Sequence, residues 1–202
     1  MWYLTLLPVL LVGHDYMKVP IDSLYFTNWR RPLVGMRNTV IDILMHAPRY
    51  SVWEFKGLHL IKRHYHEIRK EFEDVSKTLQ KTPFHDVDPW FEKNDGYYRY
   101  TFDAFPKLKS LIRQIPCILE ETASFAVMEG PVTIPPHRAE TNHLLRYHIT
   151  ILGDGDCTLY TANGPHVHHE GEAFVFDHSR YHEVVKTGYG KRVVLILDVK
   201  RF

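Results

Sequence analysis

The sequence predicts an α+β fold, with helices in the first half and a β-sandwich, jelly roll or small barrel in the second. Three observations predict it: an apolar stripe at helical spacing, a series of short β-branched and aromatic runs, and turn clusters set between those runs. At 202 residues and 45% apolar composition, the chain can bury one sizeable core, so residues 1–202 are expected to form a single domain. Residues 1–120 read as mainly helical support and loop, and 121–202 as the β core.

The first segment, Trp2 to Gly13 (WYLTLLPVLLVG), is apolar throughout. It is shorter than the roughly 20 residues that span a bilayer. It lacks the basic n-region and small-residue cleavage site of a secretory signal, and Pro8 interrupts it. The plain expectation is a segment buried in the fold; the alternative is a shallow anchor making membrane-surface contact through residues 2–13. Asn38 to His46 (NTVIDILMH) reads as a short helix. A longer one follows, because Leu58, Ile61, Tyr65, Ile68, Phe72, Val75 and Leu79 alternate three and four apart. Lys62, Arg63, Glu67, Arg69, Lys70, Glu71 and Asp74 fall on its other faces, and Pro83 is expected to close it. Residues 82–104 read as a long aromatic loop suited to substrate contacts. Trp53, Trp90 and the Tyr97–Tyr100 cluster are expected in the core or at a rim. A third helix is expected from Pro106 to about Ile115.

After Glu121 the strand-length runs are Ser124–Met128, Leu144–Leu152, Cys157–Thr161, Ala173–Phe176, Glu183–Lys186 and Arg192–Val199. Turns are read at 153–156 (GDGD), 163–165 (NGP) and 187–190 (TGYG).

Charge and cysteine content exclude several functions. Twenty-five Lys and Arg against 24 Asp and Glu leave a formal charge of +1, and no basic run suggests nucleic acid. Two cysteines, Cys117 and Cys157, are too few for a disulfide framework and read as buried thiols in a reducing, cytoplasmic compartment. Fourteen histidines is a high count, and their placement decides their meaning. The densest polar stretch within strand patterning is His137–His148 (HRAETNHLLRYH), followed by Phe176–Glu183 (FDHSRYHE) and then Arg192. Two histidines on separate strands can converge at a barrel mouth. Imidazoles with open coordination positions suit a non-haem iron(II) centre that also binds a bidentate oxoacid and dioxygen. A carboxylate deep in the barrel then needs a planar, permanent cation, a role for which Arg192 suits better than lysine. His166-Val167-His168-His169 suggests a second metal site, but its spacing fits an exposed strand with solvated histidines better.

From Met128 to Asp198 the chain resembles the aspartyl/asparaginyl β-hydroxylase family of iron(II)/2-oxoglutarate oxygenases. The matching pieces are Gly130, Pro136-His137, Thr141-Asn142, Leu145-Arg146-Tyr147-His148, Glu170-Gly171-Glu172, Phe176-Asp177-His178-Ser179, His182-Glu183-Val184 and Arg192. A weaker match, Ile68-Arg69 and Glu71, extends into the long helix. The resemblance implies a double-stranded β-helix (jelly roll) with N-terminal supporting helices. It implies iron(II) held by His137 and His182, and 2-oxoglutarate bound by Arg192, with Arg146 and His148 lining the cosubstrate pocket. Arg146 and His148 could instead be structural. The family's cosubstrate serine falls at Ala126, with Ser124 two residues away on the same face.

Ala139 stands where most oxygenases of the wider superfamily place an Asp or Glu ligand, an absence shared by this branch. Water, Glu140 or halide are the candidates for the gap, although Glu140 should face away if the strand continues. Asp177 reads as a turn or supporting residue, since the iron chemistry needs no protein base. Three substrate classes follow: the β-carbon of Asp or Asn in a peptide or protein, a lipid acyl chain, or none, in a non-catalytic binding protein. Halogenation is a further alternative.

Overall fold

The computed structural model describes residues 3–18, 24–45, 47, 49–87 and 96–201. Three helices come first: α1 (Tyr3–Met17), α2 (Leu24–Thr27) and α3 (Arg31–Met45). Then follow α4 (His59–Arg63), α5 (Tyr65–Val75), β1 (Thr82–Pro83), α6 (Phe84–Val87), β2 (Tyr97–Thr101) and α7 (Pro106–Ile112). The remaining strands are β3 (Ile118–Glu129), β4 (Val132–His137), β5 (Leu144–Leu152), β6 (Asp154–Thr161) and β7 (Gly164–His169). β8 (Ala173–Phe176), β9 (His182–Lys186) and β10 (Lys191–Lys200) complete the chain.

Two antiparallel sheets face each other, one ordered β1-β2-β3-β10-β5-β8 and the other β4-β9-β6-β7. This is the double-stranded β-helix with N-terminal helices that the patterning and the resemblance predict. Period-two alternation builds it. On β5, Leu145, Tyr147, Ile149 and Ile151 point to the helical layer, where α4, α5 and α7 bury Leu58, Ile61, Phe72 and Leu108 against them. The alternate residues Arg146, His148 and Thr150 point into the barrel. β10 repeats the arrangement: Val193, Leu195, Leu197 and Val199 join the outer core, while Arg192, Ile196 and Asp198 face inward. A smaller apolar cluster of Ala126, Met128, Ile134, Leu159 and Phe176 fills the barrel between the sheets.

Several expectations need correction. The long helix is two, because His64 (φ −95°, ψ 22°) leaves helical geometry between α4 and α5. No proline or glycine marks the break, and the stripe runs on through it. The helix ends at Val75, well before Pro83, which sits in β1. Glu71, expected on a solvated face, is buried and accepts from the backbone N–H groups of Lys107 (2.7 Å) and Leu108 (2.8 Å). It therefore satisfies donors at the start of α7, which have no partner within the helix. β2, read as loop, pairs with β3, and α3 begins seven residues before the expected Asn38. Within the apolar segment 2–13, expected to be buried, Leu6, Leu7, Val9 and Leu10 of α1 are exposed. Trp53 is also exposed, while Trp90 lies outside the described residues. Cys117 and Cys157 are free thiols.

Candidate active site

Strand register brings the two histidines together. His137 ends β4, His182 begins β9, and the two are paired across the sheet. Their rings lie 4.2 Å apart, centre to centre. Pro135 and Pro136 occupy a register shift between Ile134 and His137, which turns the strand end into the barrel mouth. Each ring is oriented by a nearby carbonyl: His137 Nδ1 donates to Pro135 O and His182 Nδ1 to Arg180 O, both at 2.9 Å. Those bonds make Nε2 the lone-pair atom of both rings, the arrangement a metal-binding histidine needs. Burial first, and His137 second, push the His182 pKa down to about 3, so the ring is held neutral. Among the described residues no group of three or more His, Cys, Asp or Glu is arranged to hold a metal.

The pair opens on a cavity of ≈ 500 Å³, also lined by Arg146, His148, Ser124 and Arg192. Arg192 is 2% exposed. One Nη donates to His168 Nε2 at 2.9 Å, and its buried Nε has no hydrogen-bond partner. Burial lowers its pKa from the usual arginine value, yet a guanidinium stays protonated in proteins. Both ring nitrogens of buried His148 are likewise without partners, and desolvation, then His168 and Arg192, hold that ring neutral. Arg146 differs. Its Nε and Nη donate to the two carboxylate oxygens of Asp198, at 2.8 and 3.1 Å, and the two residues are direct cross-strand neighbours. Burial opposes its charge, but Asp198 outweighs burial and raises the pKa.

His168 corrects the exposed-strand reading of residues 166–169: it is fully buried, its Nδ1 directed at Cys157 O (3.3 Å). His169 is exposed, and half-buried His166 stacks on Phe174. His178, from the motif after β8, also lines the cavity, as does Asp198; neither was singled out for the pocket by spacing. Phe84 and Tyr97 stack at 4.1 Å on one wall, so part of the aromatic segment 82–104 borders the site.

Helix α3 fixes the loop after the first histidine. Asn142 donates to Asn38 O and Asp42 Oδ1, both at 2.8 Å, and Asn38 donates to Glu140 O at 2.8 Å. Ala139 and Glu140 thus lie in a loop beyond β4 and not on a continuing strand. Ala139 lines the cavity, while Glu140 is exposed. Asp177 forms a turn, accepting from Ser179 N (3.0 Å) and from Arg201 (2.8 Å).

A family model described as aspartyl/asparaginyl β-hydroxylase matches residues 62–202. The chain belongs to that family. Its members are iron- and 2-oxoglutarate-dependent hydroxylases, and the chain is accordingly a dioxygenase of this type. A prolyl hydroxylase from Trichoplax adhaerens, solved with a hypoxia inducible factor peptide fragment, superposes with a TM-score of 0.50 at 12% identity, covering 69% of this chain and 79% of that one. A Pseudomonas putida prolyl-4-hydroxylase gives 0.45 at 13% identity over 68% and 88%. KdgF from Halomonas sp. gives 0.40 at 12% identity over 62% and 93%. A search of curated protein sequences found no match.

Proposed function

We propose that His137 and His182 hold iron(II) and that Arg192 binds the distal carboxylate of 2-oxoglutarate in a C–H hydroxylase. The buried charge of Arg192, with no salt bridge to it among the described residues, carries this reading. A buried guanidinium that lines the cavity and has a buried, unpartnered Nε favours an anion there. A dicarboxylate reaching from the histidine pair into the barrel supplies one.

The two histidines fit the metal because each Nδ1 is engaged with a backbone carbonyl, which assigns ligation to Nε2, and the His182 ring is held neutral. Iron with 2-oxoglutarate supplies oxidative chemistry that no side chain provides. The chain's own part is binding, orientation and exclusion of water. His168 holds Arg192 in place, Asp198 does the same for Arg146, and Phe84 and Tyr97 wall the cavity. Ser124 lines the cavity above Ala126, so its hydroxyl is available to the cosubstrate.

The substrate proposed first is the β-carbon of an Asp or Asn residue in a peptide or protein. Arg99 and Arg138 line the cavity, and their charge suits a side-chain carboxylate. A lipid acyl chain is the second reading, favoured by the exposed apolar residues of α1 and α3. Anaerobic titration with iron(II) and 2-oxoglutarate tests the core proposal by the weak visible charge-transfer band of the chelate. No band, together with no succinate formed under air, would remove the reading. Peptide and lipid panels screened for the gain of one oxygen atom then separate the substrates.

A further inference from the structure

We infer that α1 and α3 form a docking surface for a bilayer containing anionic lipid. The two helices are built inside out. Their inner faces bury an ion pair between Arg31 and Asp15 (2.7 Å), with Tyr25 donating to the same Asp15 oxygen at 2.6 Å. Asn38 and Thr39 of α3 are buried beside it, and Thr39 donates to Leu11 O at 2.7 Å. Their outer faces are apolar: Leu33, Ile43 and Leu44 on α3 are exposed, Leu44 to 75%. A module folded for water places these groups the other way round.

Chemistry favours lipid over a protein as the occupant. Leu6, Leu7, Pro8, Val9 and Leu10 are five consecutive exposed residues. At 100° per residue, about 3.6 residues circle a helix, so this turn of α1 presents apolar side chains in every direction. A protein partner covers one side of a helix, whereas acyl chains surround it. No helix among the described residues is long and apolar enough to cross a membrane. On this reading the all-apolar turn of α1 dips into the acyl region of one leaflet, while the apolar face of α3 rests at its boundary.

Charge complementarity selects the lipid. Among the described residues of 3–45, the carboxylates are Asp15 and Asp42. Arg31 pairs with the first, and Lys18 and Arg201 with the second. The exposed cation Arg30 sits beside Trp29, which is 76% exposed, a cation–aromatic pair suited to a headgroup layer. Asp15, Lys18 and Asp42 also line one cavity of ≈ 390 Å³ with Arg138 and His182, so the docked helices adjoin the iron site.

Co-sedimentation of the full chain with vesicles tests this, independently of the iron reading. Vesicles of phosphatidylcholine with phosphatidylglycerol should retain about tenfold more protein than phosphatidylcholine alone, and added salt should release it. The double variant Leu10→Ser, Leu44→Ser should lose about tenfold in binding, with an unchanged urea midpoint showing that it still folds. No sedimentation with either vesicle, or undiminished binding of the double variant, would overturn the proposal. So would a stable dimer in light scattering that the same variant dissociates, since the face would then belong to a second copy.

Discussion

Arg192 is almost fully buried at the wall of the cavity, and among the described residues one neutral acceptor meets its guanidinium. That acceptor is His168 Nε2, available because Nδ1 points to the Cys157 carbonyl. Replacing Arg192 with Met should raise the KM for 2-oxoglutarate about a hundredfold, the scale of one strong charge-assisted contact. Steady-state titration of the cosubstrate checks it, and an unchanged KM would place the carboxylate elsewhere. His168 acts through Arg192 and not on the reacting atoms. His168→Leu should raise the same KM about tenfold with kcat little changed, while His168→Gln, which keeps an acceptor, should restore most of the loss. Equal defects in the two variants would reduce His168 to packing. The family resemblance singled out His137, His182, Arg146, His148 and Arg192, and the fold brings these five to one cavity. His168 was not legible in the sequence, since the neighbouring Val167 invites the opposite strand parity. In the fold Val167 is exposed and His168 buried, because the surface that β7 faces here is polar.

At the scale of elements, the sequence is most legible where two-residue alternation is strong. β5 and β8 appear at the expected limits, because β5 separates an apolar face from a polar one. β4 escaped notice because Pro135 and Pro136 argue against a strand, and the fold accommodates them at the register shift that aims His137. The break at His64 has no local signal; tertiary packing of both halves on one sheet overrides the helical stripe. Glu71 shows the same limit of local reading. Its position among charged neighbours suggests solvent, yet its partners are backbone donors of a helix thirty-six residues on. Glu71→Ala should cost about 2 kcal/mol, because it strands buried N–H groups and removes a negative charge from a helix start. Urea unfolding measures this. A loss no larger than that of an exposed control such as Glu67→Ala would show that water replaces the carboxylate freely.

Across the whole molecule, stability and function draw on different volumes. The large apolar core lies outside the barrel, between the helices and the six-stranded sheet. That leaves the barrel interior able to hold Arg192, His148 and His168 at the expense of apolar packing. Neutral buried imidazoles make this arrangement sensitive to acid. Burial, the largest cause for both, lowers the pKa values of His148 and His168 well below the ordinary 6.5. Above pH 6.5 both rings are neutral in the folded and unfolded chain, so they add no pH dependence. Below 6.5 the unfolded chain binds protons that the folded chain refuses, and stability falls with pH. Each ring contributes a loss approaching 1.4 kcal/mol per pH unit. Between pH 7.5 and 5.5 the metal-free protein should therefore lose about 3 kcal/mol from these two groups, before carboxylates begin to titrate. His168→Gln removes one of them and should lessen the total loss by about 1.4 kcal/mol, the buried rings of His178 and His182 adding their own share in both proteins. Urea midpoints at pH 7.5, 6.5 and 5.5 decide the matter. A flat profile in the parent chain would mean that water enters the barrel and that Arg192 is not isolated there; the case for a buried carboxylate partner would then fail with it.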